Sequence, residues 1–336
     1  MEYRRLGRSN LQVSRLCLGT MMFADQTGLD EAADMMAWAH DHGFNFIDTA
    51  DLYSKGGSEA MLGRLLAGRR DDWVLASKLG NAVKGVSNTG HYSRQWMHRA
   101  VRGSLQRLGT DHLDILYLHR DYIDENLEEA VRGIEDLTRA GHIRSFALSN
   151  FRGWRIAEIM RLCQQANIAP PIACQPYYNL LNRVAEVEIL PACMHYGLGV
   201  VPYSPIARGV LTGKYAPGAT PPPDTRAGRN DLRIMQTEFR EESLRIAVQL
   251  QAHAEARGIT PGQFATAWVL ANQAVSSVIV GPRTLAQLKD YLPALEVTLS
   301  AGEEAMVDAL VVPGHNSAPG YNDPGHPFHG RPLSSE

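Results

Sequence analysis

Eight short apolar runs with strand character alternate with amphipathic stretches of helical spacing, and short turns join them, which predicts an α/β fold for this 336-residue chain. Eight such units within about 250 to 300 residues point to a (β/α)8 TIM barrel. The rival, a doubly wound dinucleotide fold, lacks its signature. No Gly-x-Gly-x-x-Gly follows the first strand, where the chain reads Leu18-Gly19-Thr20-Met21-Met22.

The elements follow in order. An N-terminal β-hairpin is predicted from Tyr3-Arg4-Arg5-Leu6 and Leu11-Gln12-Val13 around the turn Gly7-Arg8-Ser9-Asn10. Strand candidates are residues 15–19, 44–49, 73–78, 113–119, 143–149, 172–176, 199–203 and 277–280. Helical spacing of apolar residues marks 30–42, 93–108, 126–140 and 153–166. Residues 207–237, with Pro221-Pro222-Pro223, break the rhythm after the seventh strand and read as a long loop acting as a lid. From Pro313 the composition shifts to His, Asn, Pro and Gly without periodicity, an irregular C-terminal tail (313–336) that is either disordered or draped over the barrel mouth. With no internal repeat, the chain reads as a single domain, its barrel spanning about 15–300.

Composition narrows the function. The chain is 44% hydrophobic and 21% charged, and 33 basic against 36 acidic residues leave a formal charge of -3. That balance offers no basic footprint for nucleic acid and no polybasic membrane anchor. The amino terminus lacks a signal-peptide core, and no apolar run approaches the roughly 20 residues of a membrane span, so a cytoplasmic protein acting on small molecules is expected. The oligomeric state is left open, a homo-oligomer included. Cys17, Cys163, Cys174 and Cys193 lie apart in apolar settings and read as reduced core thiols. His326 and His329 sit in the polar tail and are not taken as a metal site, and no metal is expected.

Asp48, Lys78 and His119 end the runs Phe-Asn-Phe-Ile-Asp48, Trp-Val-Leu-Ala-Ser-Lys78 and Leu-Asp-Ile-Leu-Tyr-Leu-His119, and Tyr53 follows shortly after the first. In parallel α/β folds the carboxyl ends of the strands open onto the ligand site. Taken singly, Asp48 reads as a turn cap, Lys78 as a solvated strand end, His119 as a core histidine and Tyr53 as a surface aromatic. Together they suit proton donation. Tyr is a poor acid, with an ordinary pKa of about 10; an ammonium from Lys78 would lower it, Asp48 would hold that ammonium, and His119 would orient a carbonyl. Reduction of a carbonyl by hydride fits this set. The segment Gly209-Val210-Leu211-Thr212-Gly213-Lys214-Tyr215 is no phosphate loop, because it is one residue short between its glycines and has Tyr in the magnesium-binding position.

Phe46-Ile47-Asp48-Thr49-Ala50-Asp51-Leu52-Tyr53, Ser77-Lys78, Leu116-Tyr117-Leu118-His119, and Gly141-His142-Ile143-Arg144 leading into Leu148-Ser149-Asn150 resemble the aldo-keto reductase superfamily, from residue 3 to about 300. Tyr203-Ser204-Pro205 and the 209–215 segment resemble its bacterial reductases and the potassium-channel β-subunit branch. The resemblance implies a catalytic tetrad of Asp48, Tyr53, Lys78 and His119, with Tyr53 as general acid. It implies Ser149, Asn150 and Gln175 on the nicotinamide carboxamide, Tyr203 stacked on the ring, and Gly19 and Thr20 in the cofactor site. Ser204, Arg208, Gly209, Leu211 and, more weakly, Lys214 match the diphosphate segment. Gly281, Arg283 and Gln287 match a pattern that meets the adenosine phosphate, which favours NADPH (NADP+) over NADH. Asp290 and Tyr291 depart from the family's adenine-binding Glu and Asn. Arg120, Tyr122, Phe23, Leu52, Asn81 and Phe151 are the candidates for the substrate pocket. The expected activity is NADPH-dependent reduction of an aldehyde or ketone. Its alternatives are an NADP-dependent alcohol or sugar dehydrogenase running in reverse, and a cofactor-sensing regulatory subunit.

Overall fold

A computed structural model describes residues 1–122 and 124–326; His329 lies outside the described residues. The hairpin forms from β1 (Tyr3–Arg5) and β2 (Gln12–Ser14), paired antiparallel with Arg4 opposite Val13. Eight parallel strands follow: β3 (Leu16–Gly19), β4 (Phe46–Asp48), β5 (Val74–Leu79), β6 (Leu113–Leu118), β7 (Ile143–Ser149), β8 (Ala173–Gln175), β9 (Gly199–Val200) and β10 (Val278–Val280). Their order is β10-β3-β4-β5-β6-β7-β8-β9, and bridges Val200 to Val275 and Tyr203 to Ile279 join the two ends, closing the sheet. A closed barrel leaves no open edge.

Alternation along each strand divides the core in two. Outward residues such as Leu16, Leu18, Leu75 and Leu116 pack against the surrounding helices. Inward residues form a second buried cluster, which Leu6 and Val13 of the hairpin plug from the amino-terminal side. The hairpin turn presses on the barrel so closely that a Cβ on Gly7, at φ +58°, would meet the backbone of Gly199 and Ile172 at 2.5 Å. The interior residues Cys17, Phe46, Ala76, Tyr117, Ala147, Ala173, Val201 and Ile279 come one from each strand or its continuation. Two positions further on, where the side chain returns to the same face, stand Gly19, Asp48, Lys78, His119, Ser149, Gln175, Tyr203 and Gly281. The carboxyl rim of the barrel is therefore lined by the polar and small residues that end the strands.

The helices are α1 (Leu29–Asp41), α2 (Gly57–Leu65), α3 (Arg94–Leu108), α4 (Leu127–Arg139), α5 (Gly153–Ala166), α6 (Ile189–Tyr196), α7 (Leu232–Gln236), α8 (Glu241–Ala256), α9 (Pro261–Ala271), α10 (Leu285–Tyr291) and α11 (Ala301–Leu310). The four helices expected from periodicity appear within a residue of their expected ends. The long loop after β9 carries a 3-10 turn, Ala207–Thr212, and the short α7 before α8 begins. The described part of the tail is draped rather than loose. Asp323 pairs with Arg233 at 2.8 and 2.9 Å, Tyr321 donates to the Gln236 carbonyl at 2.8 Å, and Arg120 donates to the Gly325 carbonyl. Arg152 reaches the His326 carbonyl at 3.1 Å. All four cysteines are buried and free. Among the described residues no helix is long and apolar enough to cross a membrane, and no group of three or more His, Cys, Asp or Glu is arranged to hold a metal.

Candidate active site

A cavity of about 820 Å3 opens at the carboxyl rim, toward the upper end of the roughly 300–1,000 Å3 usual for small-molecule and cofactor sites. At its base Lys78 is fully buried and spends all three donors: on Asp48 Oδ2 at 2.5 Å, on the Thr49 carbonyl at 2.8 Å and on the Tyr53 hydroxyl at 3.1 Å. Gln175 Nε2 donates to the other Asp48 oxygen at 2.9 Å. Because Lys78 donates to the Tyr53 oxygen, the phenolic proton must point elsewhere, and Tyr53 itself lines the cavity. Tyr53 is presented by a tight turn in which Ser54 and Lys55 take left-handed φ of 50° and 55° before Gly56 at 90°. Such a run is strained at its non-glycine residues; here Ser54 Oγ anchors it on the Phe23 carbonyl at 2.8 Å. The ring of His119 stands edge-on to Tyr53, 6.1 Å between centroids. Asn81 Nδ2, which only donates, lies 3.3 Å from His119 Nδ1, so a neutral imidazole carries its proton on Nε2.

The protonation states follow from burial and charge. Burial works against the Lys78 ammonium, but Asp48 and then Tyr53 outweigh it and hold its pKa above the ordinary value. For Tyr53 the sequence-based expectation is overturned: Lys78 does pull the phenol down, yet burial is the larger influence and the net shift is upward. Tyr53 is thus a neutral donor rather than a phenolate. Burial, with Lys78 next, drives His119 well below the usual histidine value, so the ring is neutral.

Asp51, beside this set, is pushed up to about 7 by burial and then by Glu59, with Arg107 opposing, and its Oδ1 has no hydrogen-bond partner among the described residues. A folded-state pKa above the ordinary 3.8 means the folded chain holds this proton longer than the unfolded one, a penalty that grows as pH rises from about 4 to 7 and is complete above. Asp51→Asn is therefore expected to raise the urea midpoint relative to the parent at about pH 8 and to lose that advantage at about pH 4. An equal gain at both would contradict this account.

Around the cavity the amide-binding candidates already form a network. Asn150, at φ 61°, donates to Ser149 Oγ at 3.0 Å and to the His119 carbonyl at 3.1 Å, and accepts from Tyr203 at 2.8 Å. Gly19 is required by close approach: a Cβ there would lie 2.7 Å from Ile279 Cγ2. Ser204 and, after Pro205 and Ile206, the run Ala207, Arg208 and Gly209 have left-handed φ of 59°, 48°, 51° and 97°. Beyond it the side chains of Lys214, Arg226 and Arg283 share one end. Lys214 is lowered to about 8, by burial first and then by the neighbouring cations Arg283 and Arg226. The long loop closes on this end, since Arg283 reaches the Asp224 carbonyl at 3.2 Å and Gln26 Oε1 at 3.3 Å.

Of the residues expected from sequence, Gly19, Thr20, Asp48, Leu52, Tyr53, Asn81, His119, Arg120, Ser149, Asn150, Gln175, Tyr203, Ser204, Arg208, Gly209, Lys214, Gly281, Arg283 and Gln287 line the cavity. Lys78 lies behind it, reaching in only through Tyr53. Phe23 and Phe151 do not line it; both are completely buried in the core under the helices, because local sequence does not reveal which side of a loop an aromatic takes. Leu211 is likewise core, while its neighbours Gly209 and Thr212 line the cavity. Tyr122 is occupied with the Gly80 carbonyl at 2.8 Å and stacks on His91. Arg208 lines the cavity but is tied to Glu238 at 2.5 Å. Asp290 and Tyr291 do reach the wall, and Asp290 also accepts from Gln263 at 2.9 Å. Sequence reasoning missed Met21, Met22, Arg226, Arg233 and His326, which also line the cavity. Only the lid and tail assignments hinted at the last three.

The model of the Aldo/keto reductase family matches residues 15–312. An Arabidopsis thaliana protein described as "Probable voltage-gated potassium channel subunit beta" is 34% identical over 302 residues, 88% of this chain and 92% of its own length. Its Oryza sativa subsp. japonica counterpart of the same description is 35% identical over 302 residues, with the same coverage. A Bacillus subtilis (strain 168) protein described as "Uncharacterized oxidoreductase YrpG" is 35% identical over 312 residues, 89% of this chain and 92% of its own.

Proposed function

Because this chain belongs to the aldo/keto reductase family, we propose that it uses NADPH to reduce an aldehyde or ketone to the alcohol, with Tyr53 giving the proton. Family membership makes it an NAD(P)H-dependent oxidoreductase; the choice of NADPH, the direction and the residue roles are the proposal. The observation that carries it is the 3.1 Å bond from a fully buried Lys78 to the Tyr53 oxygen. When bound, the nicotinamide supplies a hydride to the carbonyl carbon. Tyr53 O–H and His119 Nε2–H then offer two donors to the carbonyl oxygen, where negative charge develops. Lys78 stabilises the phenolate left when Tyr53 gives up its proton, and Asp48 keeps Lys78 charged and aimed. The lid and tail exclude water from this step. In the oxidising direction Tyr53 takes the proton back.

The wall residues suit the cofactor. Ser149, Asn150 and Gln175 carry donors and acceptors matched to a carboxamide, Tyr203 offers a ring face, and the left-handed residues Ser204, Ala207, Arg208 and Gly209 together with Lys214, Arg226 and Arg283 suit phosphate oxygens. Arg283→Ala is expected to weaken NADPH binding by about 10-fold or more, as befits the loss of a charge-assisted hydrogen bond, while changing NADH binding little. Titration of both cofactors checks it, and equal losses would remove the 2′-phosphate role. In this reading the chain works as one barrel unit on small cytoplasmic carbonyl compounds.

The test of the whole is consumption of NADPH with a panel of aldehydes, diketones, keto-sugars and keto-steroids. Likeness to chains described as channel β subunits favours a second reading, a cofactor-sensing subunit. Tight NADPH binding without turnover of any carbonyl or alcohol would support that reading over the first.

A further inference from the structure

Six cationic side chains line the cavity, Arg120, Arg208, Lys214, Arg226, Arg233 and Arg283, against two carboxylates, Asp48 and Asp290. Neither carboxylate is available to them: Asp48 belongs to Lys78, and Asp290 accepts from Gln263 and Thr260. Lys214, Arg226 and Arg283 form the end ascribed above to cofactor phosphates, and Arg208 is paired with Glu238. Arg120 and Arg233 remain, on the side that the tail covers. Arg233 is held by Asp323 through two hydrogen bonds.

Arg120 is different. Among the described residues no carboxylate lies within ion-pair reach of its guanidinium, whose one hydrogen-bond partner there is the neutral Gly325 carbonyl. The residue is nonetheless firmly seated. Its backbone N–H donates to the hydroxyl of the buried Tyr92 at 2.9 Å, and that hydroxyl donates to its carbonyl at 2.5 Å. It also follows directly on His119. A pre-positioned guanidinium, 5.9 Å from the Tyr122 ring centroid and with no carboxylate partner among the described residues, therefore faces the same chamber as the carbonyl-activating groups. His326, beside it, adds no charge, being lowered to about 4 by burial first and then by Arg120 and Arg233 among its neighbours.

We propose that the substrate is an anionic carbonyl compound, whose carboxylate or phosphate binds Arg120 while its carbonyl meets Tyr53 and His119. This rests on the carbonyl-reducing reading of the cavity. A planar guanidinium suits either anion, since both present paired oxygens to its fork of N–H groups. The anion reaches Arg120 by replacing a neutral tail carbonyl, whereas at Arg233 it would have to displace a carboxylate.

The experiment compares 4-carboxybenzaldehyde with benzaldehyde, and glyceraldehyde 3-phosphate with glyceraldehyde, in the parent protein, Arg120→Gln and Arg120→Lys. In the parent the charged member of at least one pair is expected to show a kcat/KM about 10-fold or more higher, gained through KM, and the pair that shows it names the anion. Arg120→Gln should bring that ratio close to unity, and Arg120→Lys should restore part of it. A ratio near unity in the parent for both pairs, or one unchanged in Arg120→Gln, overturns the proposal. If no carbonyl consumes NADPH, the reductase reading itself has failed, and thermal unfolding of the NADP+-loaded protein decides the anion site. Stabilisation by 4-(hydroxymethyl)benzoate but not by benzyl alcohol, lost in Arg120→Gln, upholds it; no such difference overturns it.

Discussion

Replacing Tyr53 with Phe is expected to lower kcat by about 100- to 10,000-fold, the range contributed by a positioned general acid, and to leave NADPH affinity nearly intact. The substitution removes one oxygen. Lys78 keeps its bonds to Asp48 and the Thr49 carbonyl, so the buried charge stays compensated and the fold should hold. The ring keeps its edge-on contact with His119, and what disappears is the proton that, in the proposed reaction, passes to the carbonyl oxygen. Single-turnover oxidation of bound NADPH, with fluorescence titration of the cofactor, separates chemistry from binding. Normal single-turnover rates in a folded Tyr53→Phe protein would sink the assignment. The parent should also hold a steady reduction rate from about the ordinary histidine value of 6.5 up toward the ordinary tyrosine value of 10, because burial keeps His119 neutral and Tyr53 protonated across that span. A rate falling in the middle of that window would show that another group governs the step.

Lys78→Met is expected to be the most damaging change to stability, costing about 3–5 kcal/mol, because it strands the Asp48 carboxylate in the protein interior without its cation. Asp48 would retain only the Gln175 amide among its present side-chain partners. Turnover should be lost along with stability. Adding Asp48→Asn to Lys78→Met removes the stranded charge, so the double variant should recover part of the stability and none of the activity. Urea midpoints measure the first effect and NADPH oxidation the second; a loss below about 1 kcal/mol in Lys78→Met would contradict a compensated buried pair. The pH dependence has a defined sign. The folded-state pKa of Lys78 is raised above the ordinary 10.5, so the pair's contribution is complete below that value and is lost as pH climbs through the folded one. Alkaline unfolding should therefore begin at lower pH in a variant that weakens the pair, and the two proteins should differ least near neutrality in their pH slopes.

The barrel and its polar rim were legible in the order of residues. Strand and helix periods are local properties, readable from neighbours two, three or four positions apart, and period two alone carries Ala76 to Lys78 and Tyr117 to His119 on the interior face. Asp48, Lys78 and His119, with Tyr53 shortly after the first, were thus legible from the order of residues, and the resemblance pointed to most of the cavity wall. What local pattern does not carry is which of two environments a loop residue enters. Phe23 and Phe151 looked like pocket aromatics and are core, and Tyr53 beside an ammonium is governed more by burial than by that charge. Arg226, Arg233 and His326 join the site through the lid and tail, and Arg120 meets Gly325 across 205 residues of sequence. Such contacts arise from packing between distant segments, where the free energy depends on the whole closed barrel rather than on any short stretch of chain. The sequence by itself determined the architecture and which polar residues end the strands; the tertiary structure alone decided their net protonation, their cover, and the nearby Arg120 guanidinium without a carboxylate partner among the described residues.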